Sequence, residues 1–77
     1  MGPYEELKTA CTLQDCILEF GHAQWAARAI EAGESDMRYL VGRFEQACTT
    51  IADRVGKWDR EYVMTQFRVH AMQRVAS

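Results

Sequence analysis

Apolar residues recur three and four positions apart along almost the whole chain, and no stretch alternates apolar and polar side chains as a strand does. This period predicts an all-α protein. Three helices are expected, over residues 3–32, 36–55 and 60–75. Because short loops make neighbouring helices antiparallel, we predict a small three-helix up-down-up bundle, with residues 1–77 forming a single helical domain.

Local start and stop signals set these boundaries. Pro3 suits the first position of a helix, where its missing N–H has no consequence. Ser35 and Asp59 are expected to cap the second and third helices. Gly33 and Gly56 each offer the left-handed residue that commonly ends a helix.

The first helix also contains an internal start signal. Thr12 followed by Asp15 resembles a capping box, which is typical of a helix N-terminus. A break near residues 9–12, giving a short helix and a longer one, is therefore an alternative. We favour the continuous helix over residues 3–32.

The three predicted helices differ in how many apolar faces they carry. The second has one stripe, formed by Met37, Leu40, Val41, Phe44, Ala47, Cys48, Ile51 and Val55. The first has an inner stripe of Leu13, Cys16, Ile17, Phe20, Ala23, Ala27 and Ile30, and an opposite stripe of Tyr4, Leu7, Cys11, Leu18, Trp25, Ala29 and Ala32. The third has an inner stripe of Val63, Met64, Phe67, Ala71 and Val75, and an outer stripe of Trp58, Tyr62, Val69, Met72 and Ala76.

A three-helix monomer needs one apolar stripe from each helix, so two stripes remain to be covered. Leaving several such side chains in water at ~1.5–3 kcal/mol each would cancel the stability of a small domain. We therefore predict a homodimer, with an interface formed by Tyr4, Leu7, Cys11, Leu18, Trp25 and Ala29. A second protein is expected to bind the outer stripe of the third helix, at Trp58, Tyr62, Val69 and Met72.

Two alternatives leave no dimer. A different protein could cover the stripe of the first helix equally well. The third helix could also cross the first obliquely, in which case the remaining apolar residues are ordinary surface.

Composition removes several classes of protein. The net charge is -2 and the nine Lys and Arg residues are scattered, so no basic patch is present and nucleic acid is not an expected partner. No apolar run is long enough for a membrane span or a signal peptide, so we expect a cytoplasmic protein without a membrane partner. The three cysteines have neither disulfide nor zinc-site spacing, and are expected to be reduced and buried.

Glu19 and His22 form the only pair that resembles a chemical site. A Glu-x-x-His unit on one helix face is the element from which ferritin-like di-metal sites are built. The inward stripe of the second helix has no carboxylate to complete such a site, so no metal and no cofactor are expected. His70 is expected to be a partly buried core or interface residue, and no nucleophile has a neighbouring base, so we expect no enzyme.

The join from Ala29 through Gly33 has the opening of a DNA-binding helix-turn-helix. Glu34 and Gly42 then occupy positions that should be apolar, and Asp36 would face phosphate. The expected function is therefore that of a non-catalytic protein–protein interaction module, which binds itself and an unidentified protein that it scaffolds or inhibits. By analogy of class alone, phage- and plasmid-type inhibitors and antitoxins have this character. A small DNA-binding transcriptional regulator and a ferritin-like di-metal protein are the alternatives.

Overall fold

The chain folds into four helices, with no strand in residues 2–76, the part that a computed structural model of the protein describes; of residues 75 and 76 only the backbone is described. The helices are α1 (Pro3–Leu13), α2 (Ile17–Glu31), α3 (Met37–Val55) and α4 (Arg60–Ala76). The predicted all-α class is confirmed. The predicted stripe positions of Val75 and Ala76 lie outside the described side chains.

The predicted continuous first helix is wrong, because the chain bends at residues 14–16 and forms α1 and α2. The alternative of a broken helix is correct in kind, but the break lies after residues 9–12. Asp15 takes the left-handed conformation there, with φ 56°. Its N–H donates to the Thr12 carbonyl at 3.3 Å, and the Cys16 N–H donates to the Cys11 carbonyl at 2.8 Å. These two bonds form a Schellman motif, which ends α1 without a glycine.

Most other helix ends follow the local signals. Pro3 begins α1, and Gly56 ends α3 with φ 68°. The Asp59 carboxylate accepts a hydrogen bond of 2.8 Å from the Tyr62 N–H and so caps α4. The predicted cap at Ser35 is wrong: α3 begins one residue later, after Asp36, which is left-handed and makes no side-chain capping bond.

The helices surround one apolar core, which is centred on the ring of Phe67. The rings of Phe20, Phe44 and Tyr4 lie 5.1, 6.3 and 5.7 Å from it, centroid to centroid. Each of the four helices contributes one of these rings, since Tyr4 belongs to α1, Phe20 to α2, Phe44 to α3 and Phe67 to α4. The buried core comprises Leu7, Cys11, Cys16, Phe20, Ala23, Ala26, Ala27, Phe44, Ala47, Cys48, Ile51, Val63, Phe67 and Ala71.

All three cysteines belong to this core and form no disulfide, as their spacing predicts. Burial raises the pKa of the Cys48 thiol to about 12. It also raises the pKa of the Cys11 thiol to about 12, with a further contribution from a hydrogen bond to Cys16. The Cys11 and Cys48 thiols are therefore protonated at neutral pH, and all three cysteine side chains are part of the packing.

Two ion-pair or hydrogen-bond contacts join α2 to α3. Arg54 lies near the start of α2, 3.8 Å from the Glu19 carboxylate, and its Nη1 also donates to the Asp15 carbonyl at 3.1 Å. Further along α2, His22 lies beside Arg43, which precedes Arg54 in α3. The contacts thus run in opposite order along the two helices, which are antiparallel.

Candidate interaction surfaces

Five of the six predicted dimer residues fall into two groups in the structure. Leu7 and Cys11 are fully buried, and Ala29 is 3% exposed, so they are enclosed by the chain's own helices. This corrects the premise of one exposed stripe along a straight helix. The bend at residues 14–16 folds α1 back against α2 and α4, and the apolar face of α1 is covered there. Leu18 and Trp25 remain exposed on α2.

Tyr4, the sixth predicted dimer residue, joins α1 to α2 and α4 through side-chain contacts. Its ring stacks on His70 of α4, with centroids 3.7 Å apart and planes 4° apart. Gln24 of α2 donates a hydrogen bond of 2.7 Å to its hydroxyl. His70 is partly buried, as predicted. Burial raises the pKa of Tyr4, and it lowers the pKa of His70, with Arg28 and Arg74 lowering the latter further.

Four large apolar side chains are exposed at the bend and along α2, and together we call them the bend patch. Leu13 is 76% exposed, Ile17 44%, Leu18 67% and Trp25 50%. Leu13 and Ile17 were predicted to face the core, but the bend turns both outward. Gly21 lies between Leu18 and Trp25 on α2, and a Cβ at that position would meet nothing within 4 Å.

The four predicted partner-binding residues, of which Trp58 lies just before α4 and the other three on it, also fall into two groups. Trp58 and Tyr62 stack on each other, 5.7 Å between centroids, and both are partly buried. Trp58 packs against the core, and Lys57 Nζ lies 5.1 Å from its ring centroid. Val69 and Met72, further along α4, are 45% and 55% exposed. These two form the freely accessible part of the predicted surface.

Glu19 and His22 both face arginines of α3. Arg54 pairs with Glu19, and Arg43 Nη2 donates to His22 Nδ1 at 3.2 Å. Within the described part of the chain, no group of three His, Cys, Asp or Glu side chains is placed to hold a metal ion. An arginine on each member of the pair is the reverse of what a cation site requires.

A cleft of about 460 Å³, which no sequence pattern predicts, lies between α2 and the end of α4. Its walls are formed by Gln24, Trp25, Arg28, Ala29, Ala32, Glu34 and Arg74. Spacing along the sequence cannot indicate this cleft, because Arg28 and Arg74 are distant along the chain and belong to different helices. Only the packing of α4 beside α2 brings them to one opening.

No helix in the described residues is long and apolar enough to cross a membrane. Comparison of the chain with protein-family models, with curated protein sequences and with solved structures finds no match. The surface of the molecule is therefore the one source of functional information.

Proposed function

We propose that the protein is a non-catalytic protein-interaction module that forms a homodimer through the bend patch. The observation that supports this most is the exposure of Leu13, Ile17, Leu18 and Trp25 in one short part of the chain. Large exposed apolar patches on small domains are typical of interaction sites.

The energy available from the bend patch is suited to a modest dimer. A fully buried large apolar side chain contributes ~1.5–3 kcal/mol, so four roughly half-exposed ones offer about 6–12 kcal/mol over two protomers. Association itself costs about 4–15 kcal/mol. The upper end of this gain less the lower end of the cost leaves about 8 kcal/mol, which corresponds to a micromolar dissociation constant. The bend patch therefore supports a weak, reversible dimer and not an obligate one.

Gly21 adds a second argument for contact at α2. Within a helix, glycine is about 1 kcal/mol less favourable than alanine. Nothing in the chain's own packing requires it, since a Cβ there would meet open space. A glycine between Leu18 and Trp25 allows the backbone of a second helix to approach α2 closely.

The homodimer leaves a separate surface for another protein. Val69 and Met72 lie on α4, and methionine side chains adapt to varied partners. We propose that this surface binds the protein that the module scaffolds or inhibits.

Light scattering coupled to size-exclusion chromatography tests the homodimer. At about 200 µM we expect a mass of twice the 8.8 kDa of the chain, falling toward the monomer on dilution. Leu18→Glu should give a monomer with unchanged circular dichroism, because the charge would be buried in the interface only. Tyr39→Glu is the matched control, since Tyr39 is 60% exposed on α3, outside the bend patch. A monomeric wild-type protein, or equal effects of the two substitutions, would refute the homodimer.

A further inference from the structure

The cleft between α2 and the end of α4 combines charge with apolar surface. Arg28 and Arg74 line it from two helices, and Glu34 lies on its wall from the loop after α2. Trp25, Ala29 and Ala32 supply the apolar part of the wall. Its volume, about 460 Å³, falls within the range of small-ligand sites.

Arg28, which lines the cleft, has one buried hydrogen-bond donor without an acceptor. Among the described residues, Arg28 Nε is the one buried side-chain nitrogen or oxygen without a hydrogen-bond partner. Leaving a hydrogen-bond donor of a charged group buried and unpaired costs free energy of folding. An unpaired buried atom in a native protein therefore calls for an explanation, and a missing ligand is one. The cost is removed if the guanidinium turns and meets an acceptor in the cleft.

The charged side chains of the cleft walls favour an anion as that acceptor. Burial, Arg28 and Arg74 each lower the pKa of the neighbouring His70, whereas Glu5 raises it, so both positive charges and one carboxylate outside the cleft walls act on the region around that ring. Glu34 opposes them with one negative charge, so the cleft side chains carry two positive charges and one negative. This balance suits a ligand with a single negative charge better than a dianion.

We propose that this cleft binds a carboxylate carried on a short apolar group. The carboxylate lies between Arg28 and Arg74, and the apolar group packs against Trp25 and the two alanines. A guanidinium offers two parallel N–H groups to the two oxygens of a carboxylate, and Nε with one Nη forms such a pair. Trp25 borders both this cleft and the bend patch, and we expect the carboxylate to bind the monomer and the dimer alike because Arg28 and Arg74 lie outside the bend patch.

Hexanoate is the probe, and hexanamide, which has the same chain without the charge, is its control. The chain has two tryptophans, so Trp58→Phe leaves Trp25 as the only fluorescent indole. In that background we expect hexanoate to shift the Trp25 emission in a saturable way, and hexanamide to leave it unchanged. Arg28→Gln and Arg74→Gln should each weaken hexanoate binding about tenfold or more, because each removes charge-assisted hydrogen bonds. Arg38→Gln, an exposed arginine on α3, is the matched control and should have no effect.

A second pair of probes distinguishes a free acid from a protein segment. These are the capped tripeptides Leu-Glu-Leu and Leu-Gln-Leu, both acetylated and amidated. The site is supported if hexanoate binds in an arginine-dependent way, which identifies a free acid as the source of the carboxylate. It is also supported if the glutamate peptide binds better than the glutamine peptide in an arginine-dependent way, which identifies a protein segment as the source. Equal binding of charged and neutral probes, no loss in the arginine variants, or no binding of hexanoate or the glutamate peptide at about 20 mM overturns the proposal.

Two further variants keep this result separate from folding and from the homodimer. If Arg28→Gln lowers the helical content, Arg74→Gln decides, because Arg74 is exposed near the end of α4. Repeating the hexanoate titration in Leu18→Glu tests the cleft in the proposed monomer. Loss of hexanoate binding in Leu18→Glu would show that the cleft depends on the homodimer. If Leu18→Glu is still a dimer, the proposed dimer interface is refuted and the test of carboxylate binding is unaffected.

Discussion

The ends of α1 and α2 share one hydrogen-bond pattern but are built from different residues. At the end of α2, Gly33 is left-handed with φ 72°, and its N–H donates to the Ile30 carbonyl at 3.1 Å. The Glu34 N–H donates to the Ala29 carbonyl at 3.2 Å. These are the two bonds of the Schellman motif that ends α1, where Asp15 stands in place of the glycine.

The comparison shows how a helix can end where its sequence signal is weak. Glycine adopts the left-handed conformation without strain, so Gly33 marks a helix end by itself. An aspartate tolerates that conformation less well and also occurs at many helix starts, so Asp15 does not mark an end. At the α1 end the missing preference is offset by contacts. Arg54 donates to the Asp15 carbonyl, and the apolar face of α1 packs on the core.

The largest change in stability is expected for a substitution of Leu7, which tests whether α1 is folded back at the bend. Leu7 is fully buried in the structure but would line an exposed stripe if the first helix were continuous. We expect Leu7→Ala to lower the free energy of unfolding by about 2–5 kcal/mol, because it leaves a cavity. Urea denaturation measures this. In dilute, monomeric protein, Leu13→Ala, at a 76% exposed leucine of the same helix, should change it by less than about 0.5 kcal/mol. Dilution is needed because Leu13 belongs to the bend patch. Equal effects would mean that α1 is not packed as described.

The next largest loss of stability is expected at Gly33, which ends α2. Gly33→Ala forces a Cβ into the left-handed region, so we expect a loss of about 1–2 kcal/mol of stability. Steric contact adds nothing to this cost, since a Cβ at Gly33 would meet no atom within 4 Å. Thermal unfolding followed by circular dichroism measures it. The control is Gly21→Ala, inside α2, which should raise the melting temperature of the monomer.

At the end of α1, replacing Asp15 with glycine should raise the stability, whereas replacing Gly33 at the end of α2 lowers it. Asp15→Gly removes the left-handed strain of about 1–2 kcal/mol but adds the unfolded-state entropy of glycine, about 0.5–1 kcal/mol. A net stabilisation of about 0.5–1 kcal/mol is expected in urea denaturation. Asp15→Ala should instead destabilise the protein. If Asp15→Gly destabilises the protein as Gly33→Ala does, the two motifs are not equivalent.

The smallest effect concerns the arginine that anchors the bend. Arg54 is half exposed, so its ion pair with Glu19 is weakened by solvent, and its bond to the Asp15 carbonyl is the better contact. We expect Arg54→Gln to cost less than about 1 kcal/mol. Amide hydrogen exchange provides the sharper measurement: protection of the Cys16 N–H should fall, while that of the Glu34 N–H at the other motif stays constant.

For the candidate surfaces, the period of the apolar residues correctly indicated that α2 has an outward apolar face at Leu18 and Trp25. It misassigned Leu7 and Cys11, because one straight helix was assumed to carry the whole stripe. Leu13 and Ile17 were missed as surface residues for the same reason. The cleft of Arg28 and Arg74 could not be found from spacing at all, since no local rule relates residues of α2 to residues of α4.

The sequence by itself determined the helical class, the helix start at Pro3, the cap at Asp59 and the helix ends at Gly33 and Gly56. Each of these depends on the φ preference or hydrogen-bonding capacity of one residue, which acts the same way in any fold. The tertiary structure alone decided the bend at Asp15, which faces of α1 and α2 are buried, and which side chains meet at the cleft. These outcomes depend on packing between helices, where the burial of a whole apolar face outweighs the conformational preference of a single residue.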